Sequence, residues 1–234
     1  MLSAVTAGYR PEALFHVKHE SHDSFDPLTR SGFSAALGEV ESSVLDRLEK
    51  YIGLLGKWQR AINLVGPRTL EDPWRRHILD SAQLIKLMGS EREAPRVVDL
   101  GSGAGLPGLI IAIMTDWPVT LVESDQRKAT FLREAARETG TIVDVHAGRI
   151  EATEPLHGDI VTARALAPLV KLLPWVYRHL ATGGKTMLLK GADVDDELTV
   201  ASKQWTMDIN RKHSVSDASG TVLVIENLRP LTDD

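Results

Sequence analysis

Three glycines alternate along Leu100-Gly101-Ser102-Gly103-Ala104-Gly105, directly after the apolar pair Val97-Val98 and the carboxylate Asp99. Glycine reaches positive φ without a Cβ penalty and lets a ligand lie against bare main chain, and a helix opening just beyond adds unpaired N–H groups. The spacing therefore predicts a small-molecule cradle between a buried strand and a helix, with Gly101, Gly103 and Gly105 as its binding residues. Asp99, at the end of the strand, suits a ligand carrying an ammonium and a sulfonium better than one carrying a pyrophosphate, which points to S-adenosyl-L-methionine. Glu123 lies twenty residues beyond Gly103. It can accept hydrogen bonds from ribose hydroxyls of that cofactor or of a dinucleotide, so it does not choose between them. The shifted frame Gly103-Ala104-Gly105-Leu106-Pro107-Gly108 fits the dinucleotide pattern but runs the strand through Asp99, Gly101 and Ser102 and puts Pro107 inside the phosphate turn. A turn at Gly101 instead leaves Pro107 at the helix start, where its missing N–H costs nothing.

Other chemistry is narrowed by what the chain lacks. It has no cysteine, which excludes disulfides, thiolate metal sites and a cysteine nucleophile. The net charge of -5 argues against an indiscriminate polyanion binder, but the charges are unevenly spread. Ile160 to Gly191 holds no Asp or Glu while carrying Arg164, Lys171, Arg178, Lys185 and Lys190. Lys50 to Leu70 is a second acid-free stretch, with Lys50, Lys57, Arg60 and Arg68. His16, His19 and His22 have helical ligand spacing but no supporting carboxylate pattern, so no metal site is expected. The longest apolar run, Leu109 to Met114, is too short to span a bilayer, and Met1 to Arg10 lacks the features of a signal peptide. The expectation is a cytoplasmic protein.

The elements that must position these residues follow from periodicity. Residues 1–38 mix Gly, Pro, Ser and His without a sustained period and are expected to be a disordered extension to a single domain over 39–234. Within it, 39–90 reads as N-terminal helices and 95–230 as the α/β core. A helix is predicted from Glu39 to Ala61, whose apolar residues recur at three- and four-residue intervals, and Gly66-Pro67 ends it. Asp72 and Pro73 then cap and open a second helix to about Met88. Strands are predicted at Arg96–Leu100, Val119–Glu123, Thr141–His146, Asp159–Ala163 and Lys185–Lys190, with a terminal hairpin of Met207–Ser214 and Thr221–Leu228. Helices at Pro107–Met114, Gln126–Thr139, Leu166–Leu180 and Asp195–Trp205 alternate with them. This order predicts a mostly parallel seven-stranded sheet, helices on both faces and an antiparallel edge.

With these residues in view, Tyr51 to Arg229 resembles the RsmG (GidB) family of small-subunit ribosomal RNA guanine-N7 methyltransferases. The resemblance rests on an ordered set: Lys57-Trp58-Gln59 through Asn63-Leu64, Arg76-His77-Ile78-Leu79-Asp80-Ser81, Asp99 through Gly108, Gly148-Arg149-Ile150-Glu151, Ala163-Arg164-Ala165 and Leu189-Lys190-Gly191. Ala163 stands where the family usually has serine, and Gln59 where it usually has asparagine.

The resemblance implies a Rossmann-like class I methyltransferase fold and S-adenosyl-L-methionine as cofactor, contacted at Gly101, Leu106, Ile150, Glu151 and Arg164. The partner it implies is small-subunit (16S) ribosomal RNA or an assembling subunit, and the protein is expected to be a monomer. Guanine N7 has an exposed lone pair and no proton to remove, so no catalytic acid or base is assigned. Arg164 and Lys190 are the candidates for orienting the base or its phosphates. Arg68, Arg75, Arg76, His77 and Lys190 form the candidate RNA-facing rim, with a satisfied core histidine as the competing reading of His77. Trp58 and Trp74 are read as core rather than as base-stacking residues. A methyltransferase of small molecules or proteins, and less favourably a nicotinamide-dependent oxidoreductase, are the competing functions.

Overall fold

The computed structural model describes residues 26–89 and 94–231. Seven strands build one sheet: β1 (Val97–Leu100), β2 (Val119–Glu123), β3 (Asp144–Ala147), β4 (Gly158–Arg164), β5 (Leu180–Lys190), β6 (Trp205–His213) and β7 (Thr221–Pro230). Their order is β3-β2-β1-β4-β5-β7-β6. The first five are mutually parallel, and β7 runs antiparallel to both of its neighbours. Alternate residues of the central strands serve opposite faces, as the two-residue period of a strand requires: Val97, Leu121 and Ile160 enter one apolar cluster, Val98, Val122 and Val161 the other.

The first cluster is closed by α1 (Arg30–Leu37), α2 (Ser42–Gln59), α3 (Asp80–Leu87), α4 (Gly108–Thr115) and α5 (Gln126–Thr139). The second is closed by α6 (Leu169–His179) and α7 (Val194–Ala201). Local signals set the ends. The Asp125 carboxylate caps α5 by accepting from the Arg127 and Lys128 N–H groups, and Gly140 ends that helix with a left-handed φ of 63°.

Several expectations are corrected. An unstructured extension through residue 38 fails over Arg30–Leu37, which is helical: Thr29 caps it, and Phe33 is fully buried with its ring 5.3 Å from that of Trp74. Burial of one large side chain holds a helix too short to show a period of its own. The three histidines of the amino-terminal segment lie outside the described residues. The second helix opens at Trp74 as a π-helical stretch to Leu79 before becoming α3. In the carboxyl-terminal half, β5 begins at Leu180, α7 stops at Ala201, and Trp205 opens β6 rather than ending a helix. Among the described residues, no helix is long and apolar enough to cross a membrane.

Candidate functional site

The chain leaves β1 toward β2 and returns through β4 on the other side of β1, so the crevice at the carboxyl ends of these two strands is the topological switch point of the sheet. A cleft of about 900 Å³ opens there. Its floor is the glycine turn from Gly101 to Ala104, and its walls include the loop Asn63–Gly66, Arg76, Arg164, Lys190 and the Ser214–Thr221 turn between β6 and β7.

The turn is built for close approach. Gly101, Gly103 and Gly105 have φ values of 65°, 56° and 84°, the left-handed region that side chains disfavour. A Cβ on Gly101 would strike the Leu166 side chain, whereas a Cβ on Gly103 would meet nothing nearer than the Gly101 carbonyl at 3.8 Å. Main chain at Gly103 therefore faces open cleft. From below, the buried Tyr51 hydroxyl donates to the Ala104 carbonyl at 2.7 Å, and the Ser102 N–H donates to the Val122 carbonyl at 3.0 Å. Glu123, 7% exposed, accepts from the Gly103 N–H at 2.8 Å and the Asp125 N–H at 2.7 Å. Each of its oxygens keeps a second lone-pair direction. Asp99 lies beneath the turn and is not part of the cleft wall: it is fully buried, with one oxygen accepting from Thr162 at 2.7 Å and the other unpartnered. Burial pushes its pKa up to about 6, against the opposing hydrogen bond from Thr162.

Of the four strong cations that line the cleft, Arg76, Arg164 and Lys190 are each matched by a carboxylate from another segment, and Lys128 makes no ion pair among the described residues. Arg164 reaches Asp80 and the Arg76 carbonyl, both at 3.0 Å. Lys190 lies 2.6 Å from Glu197 and donates to the Ala167 carbonyl at 3.1 Å. Arg76 lies 2.6 Å from Asp217 in the hairpin turn. Asp80 also accepts from Gln83 and from the Ser216 hydroxyl, and Gln83 in turn bonds Ser214 and Val215. The sequence reading missed Asp80, Glu197 and Asp217. Asp80 sits inside the run that carried the resemblance, but nothing in its spacing announced a partner 84 residues away.

The remaining candidates divide. Leu106 lines the cleft. Ile150 is buried in a short 3-10 turn after β3, its carbonyl accepting from His179 at 3.1 Å, and Glu151 beside it is exposed; neither is in the cleft wall. Arg68 is exposed on the 3-10 turn Pro67–Glu71, just outside the wall. Arg75 points away from the cleft, pairing with Asp72 at 2.8 Å and reaching the Asp26 carbonyl. Gln59 makes three hydrogen bonds to Leu64 and Val65, holding the loop that walls the cleft. Trp58 packs edge-on against Phe131 at 5.7 Å. Both tryptophans thus serve the core.

His77 borders the cleft but is only 2% exposed; its Nε2 lies 3.0 Å from the Thr69 hydroxyl and its Nδ1 has no partner. An exposed rim role is therefore corrected to a buried wall position. Burial, with Arg164 nearby, lowers its pKa to about 3. The unfolded chain takes up a proton near pH 6.5 that the folded chain refuses until about pH 3, so stability falls as pH drops through that window, by on the order of 1 kcal/mol per unit. Asp99 contributes the opposite slope, losing stability as pH rises from about 3.8 to about 6. Comparing wild type with His77→Gln isolates the histidine: between about pH 6.5 and 4.5 the wild-type Tm should drop roughly 5 °C further than that of the variant. Parallel Tm curves would contradict the buried neutral histidine.

The family model described as rRNA small subunit methyltransferase G matches residues 44–225. The chain is 52% identical over 196 residues to the ribosomal RNA small subunit methyltransferase G of Paramagnetospirillum magneticum, covering 84% of this chain and 91% of that one. It is 49% identical over 198 residues to the protein of the same name from Rhodospirillum rubrum, covering 85% and 97%. Among solved structures, a SAM dependent methyltransferase from Aquifex aeolicus superposes with a TM-score of 0.53 at 14% identity, covering 68% of this chain and 95% of that one.

Proposed function

The chain belongs to the rRNA small subunit methyltransferase G family, and from that premise we propose that its cleft presents a guanine of small-subunit ribosomal RNA for methylation at N7. It is an S-adenosyl-L-methionine-dependent methyltransferase that acts on small-subunit ribosomal RNA. The observation that carries the finer reading is the meeting, in one cleft, of bare main chain at Gly103 with the side chains of Arg76, Arg164 and Lys190.

The residues present fit the cofactor. The open main chain at Gly103 leaves room that a side chain would fill, Glu123 offers free lone pairs beside the turn, and the unpartnered oxygen of Asp99 adds negative charge beneath it. Glu123 would hold the ribose, and the turn with Leu106 would hold the remainder. When bound, the cofactor supplies an electrophilic methyl group on a sulfonium.

The chain's own work is alignment. N7 carries its lone pair without a proton at neutral pH, so no residue has to remove one before attack. Arg164, held by Asp80, and Lys190, held by Glu197, present donors at fixed positions where the base and its flanking phosphates enter. Neither has to be ordered on binding. Mass spectrometry of small-subunit RNA after incubation with the enzyme and labelled cofactor tests the reading. It should show 7-methylguanosine, and label found only in other nucleosides or in small molecules would overturn it.

Placement of the two adjacent arginines gives a sharper expectation. Arg76 lines the cleft, whereas Arg75 reaches Asp72 and the Asp26 carbonyl. Arg76→Gln should lower kcat/KM for RNA by about tenfold and flatten its salt dependence, and Arg75→Gln should change kcat/KM less than about threefold. Equal losses for both would show that the rim is not divided in this way.

A further inference from the structure

Arg76, Arg164 and Lys190 in the cleft are paired, but the cations along one flank, Lys128 of the lining included, are not. Lys57 and Arg60 at the end of α2, Arg68 on the 3-10 turn and Lys128 in the first turn of α5 make no ion pair among the described residues. The elements that carry them adjoin. The Trp58 ring meets Phe131 at 5.7 Å and Lys50 lies 3.9 Å from Glu138, so α2 and α5 are antiparallel and the end of one adjoins the start of the other. Lys128 lines the cleft, as do Gly66 and Thr69 on either side of the Pro67-Arg68 pair. Lys57 and Arg60 are three residues apart on a helix and share a face. The carboxylates nearby are few: Asp125 caps α5 and lies 3.8 Å from Arg127, and Glu71 ends the 3-10 turn.

The opposite flank has the other sign. The start of α7 and the hairpin turn bring Asp193, Asp195, Asp196, Glu197 and Asp217 to the cleft or its edge. Three of these are matched, by Arg211, Lys190 and Arg76, and Asp193 and Asp196 make no ion pair among the described residues. A polyanion approaching the cleft is therefore drawn to one side and repelled from the other.

We propose that the RNA strand reaches the cleft across the ridge of Lys57, Arg60, Arg68 and Lys128, with its phosphates held there, while the α7 flank keeps the strand off and fixes its direction. This rests on the RNA reading above. The acid-free stretch Lys50 to Leu70 acquires a role by it, and the chain's overall negative charge becomes the background against which one face is selected.

The test uses the full chain and transcribed small-subunit ribosomal RNA, with binding measured from about 50 to 300 mM salt. Arg60→Glu/Arg68→Glu should bind the RNA at least about tenfold more weakly at low salt, with a shallower slope against log salt, and should bind S-adenosylhomocysteine within about twofold of wild type. Lys185→Glu/Lys203→Glu makes the same change in net charge at the amino ends of the parallel strands, and should bind RNA as wild type does. If the charge reversal impairs folding, Arg60→Gln/Arg68→Gln should show the same loss at about half the size. Wild-type RNA affinity in the ridge variants, or an equal loss in the control, overturns the ridge. A wild-type protein that methylates the RNA while the ridge variants bind it normally leaves the RNA reading standing and removes only the ridge; a wild type that neither binds nor methylates the RNA removes both.

Discussion

Gly103→Ala should lose S-adenosylhomocysteine affinity by about 100-fold, close to 3 kcal/mol of binding, while unfolding only slightly more easily than wild type. The left-handed φ of 56° costs alanine about 1–2 kcal/mol of stability, and the new Cβ has no protein atom within 3.8 Å to collide with. What it meets is the space above the turn. Gly103→Asn separates strain from occupancy, because asparagine tolerates this backbone region better than alanine but fills more of the cleft. Asparagine should be at least as damaging to calorimetric binding as alanine. If asparagine restored binding, strain would be the cause, and the cofactor would not lie against Gly103.

Asp80→Ala should produce the second large effect, on both stability and turnover. Asp80 accepts from Arg164 on β4, Gln83 on α3 and Ser216 in the hairpin turn, so its removal leaves Arg164 without its carboxylate in a region where both side chains are under 20% exposed. Losing charged hydrogen bonds at partly buried sites costs about 2–3 kcal/mol, which lowers Tm by roughly 5–10 °C in a chain of this size. Arg164 and the hairpin turn would both lose their fixed positions. kcat/KM for RNA should therefore fall by about 100-fold, with most of the fall in kcat, because misplaced donors no longer hold the base in line. Asp80→Asn, which retains one acceptor for Arg164 and the shape of the site, should recover part of both losses. Loss of stability with unchanged kcat would reduce Asp80 to a structural tie.

Much of this architecture could be read from the chain because local rules and the global fold agree. The alternation of apolar runs with amphipathic segments predicted the parallel order of the sheet and its antiparallel edge, and the spacing of Gly101, Gly103 and Gly105 fixed the frame of the turn. What escaped was long-range. Helix α1 has too few residues to display a period, and its reason for existing, the contact of Phe33 with Trp74, joins positions far apart in sequence. The pairing of Arg164, Lys190 and Arg76 with Asp80, Glu197 and Asp217 likewise depends on where loops meet above the sheet. A basic residue at the end of a strand predicts a site but not its counterion. Adjacent Arg75 and Arg76 read alike as sequence, and only the helical geometry sends Arg76 into the cleft and Arg75 toward Asp72 and Asp26.

A crystal grown with S-adenosylhomocysteine decides whether the cofactor lies on the glycine turn. The ligand should lie in the cleft, its ribose hydroxyls within hydrogen-bonding distance of Glu123 and its chain resting on the main chain of Gly103, with the sulfur facing the side bounded by Arg164. Ligand bound elsewhere on the molecule, or a cleft left empty at saturating concentration, would contradict it.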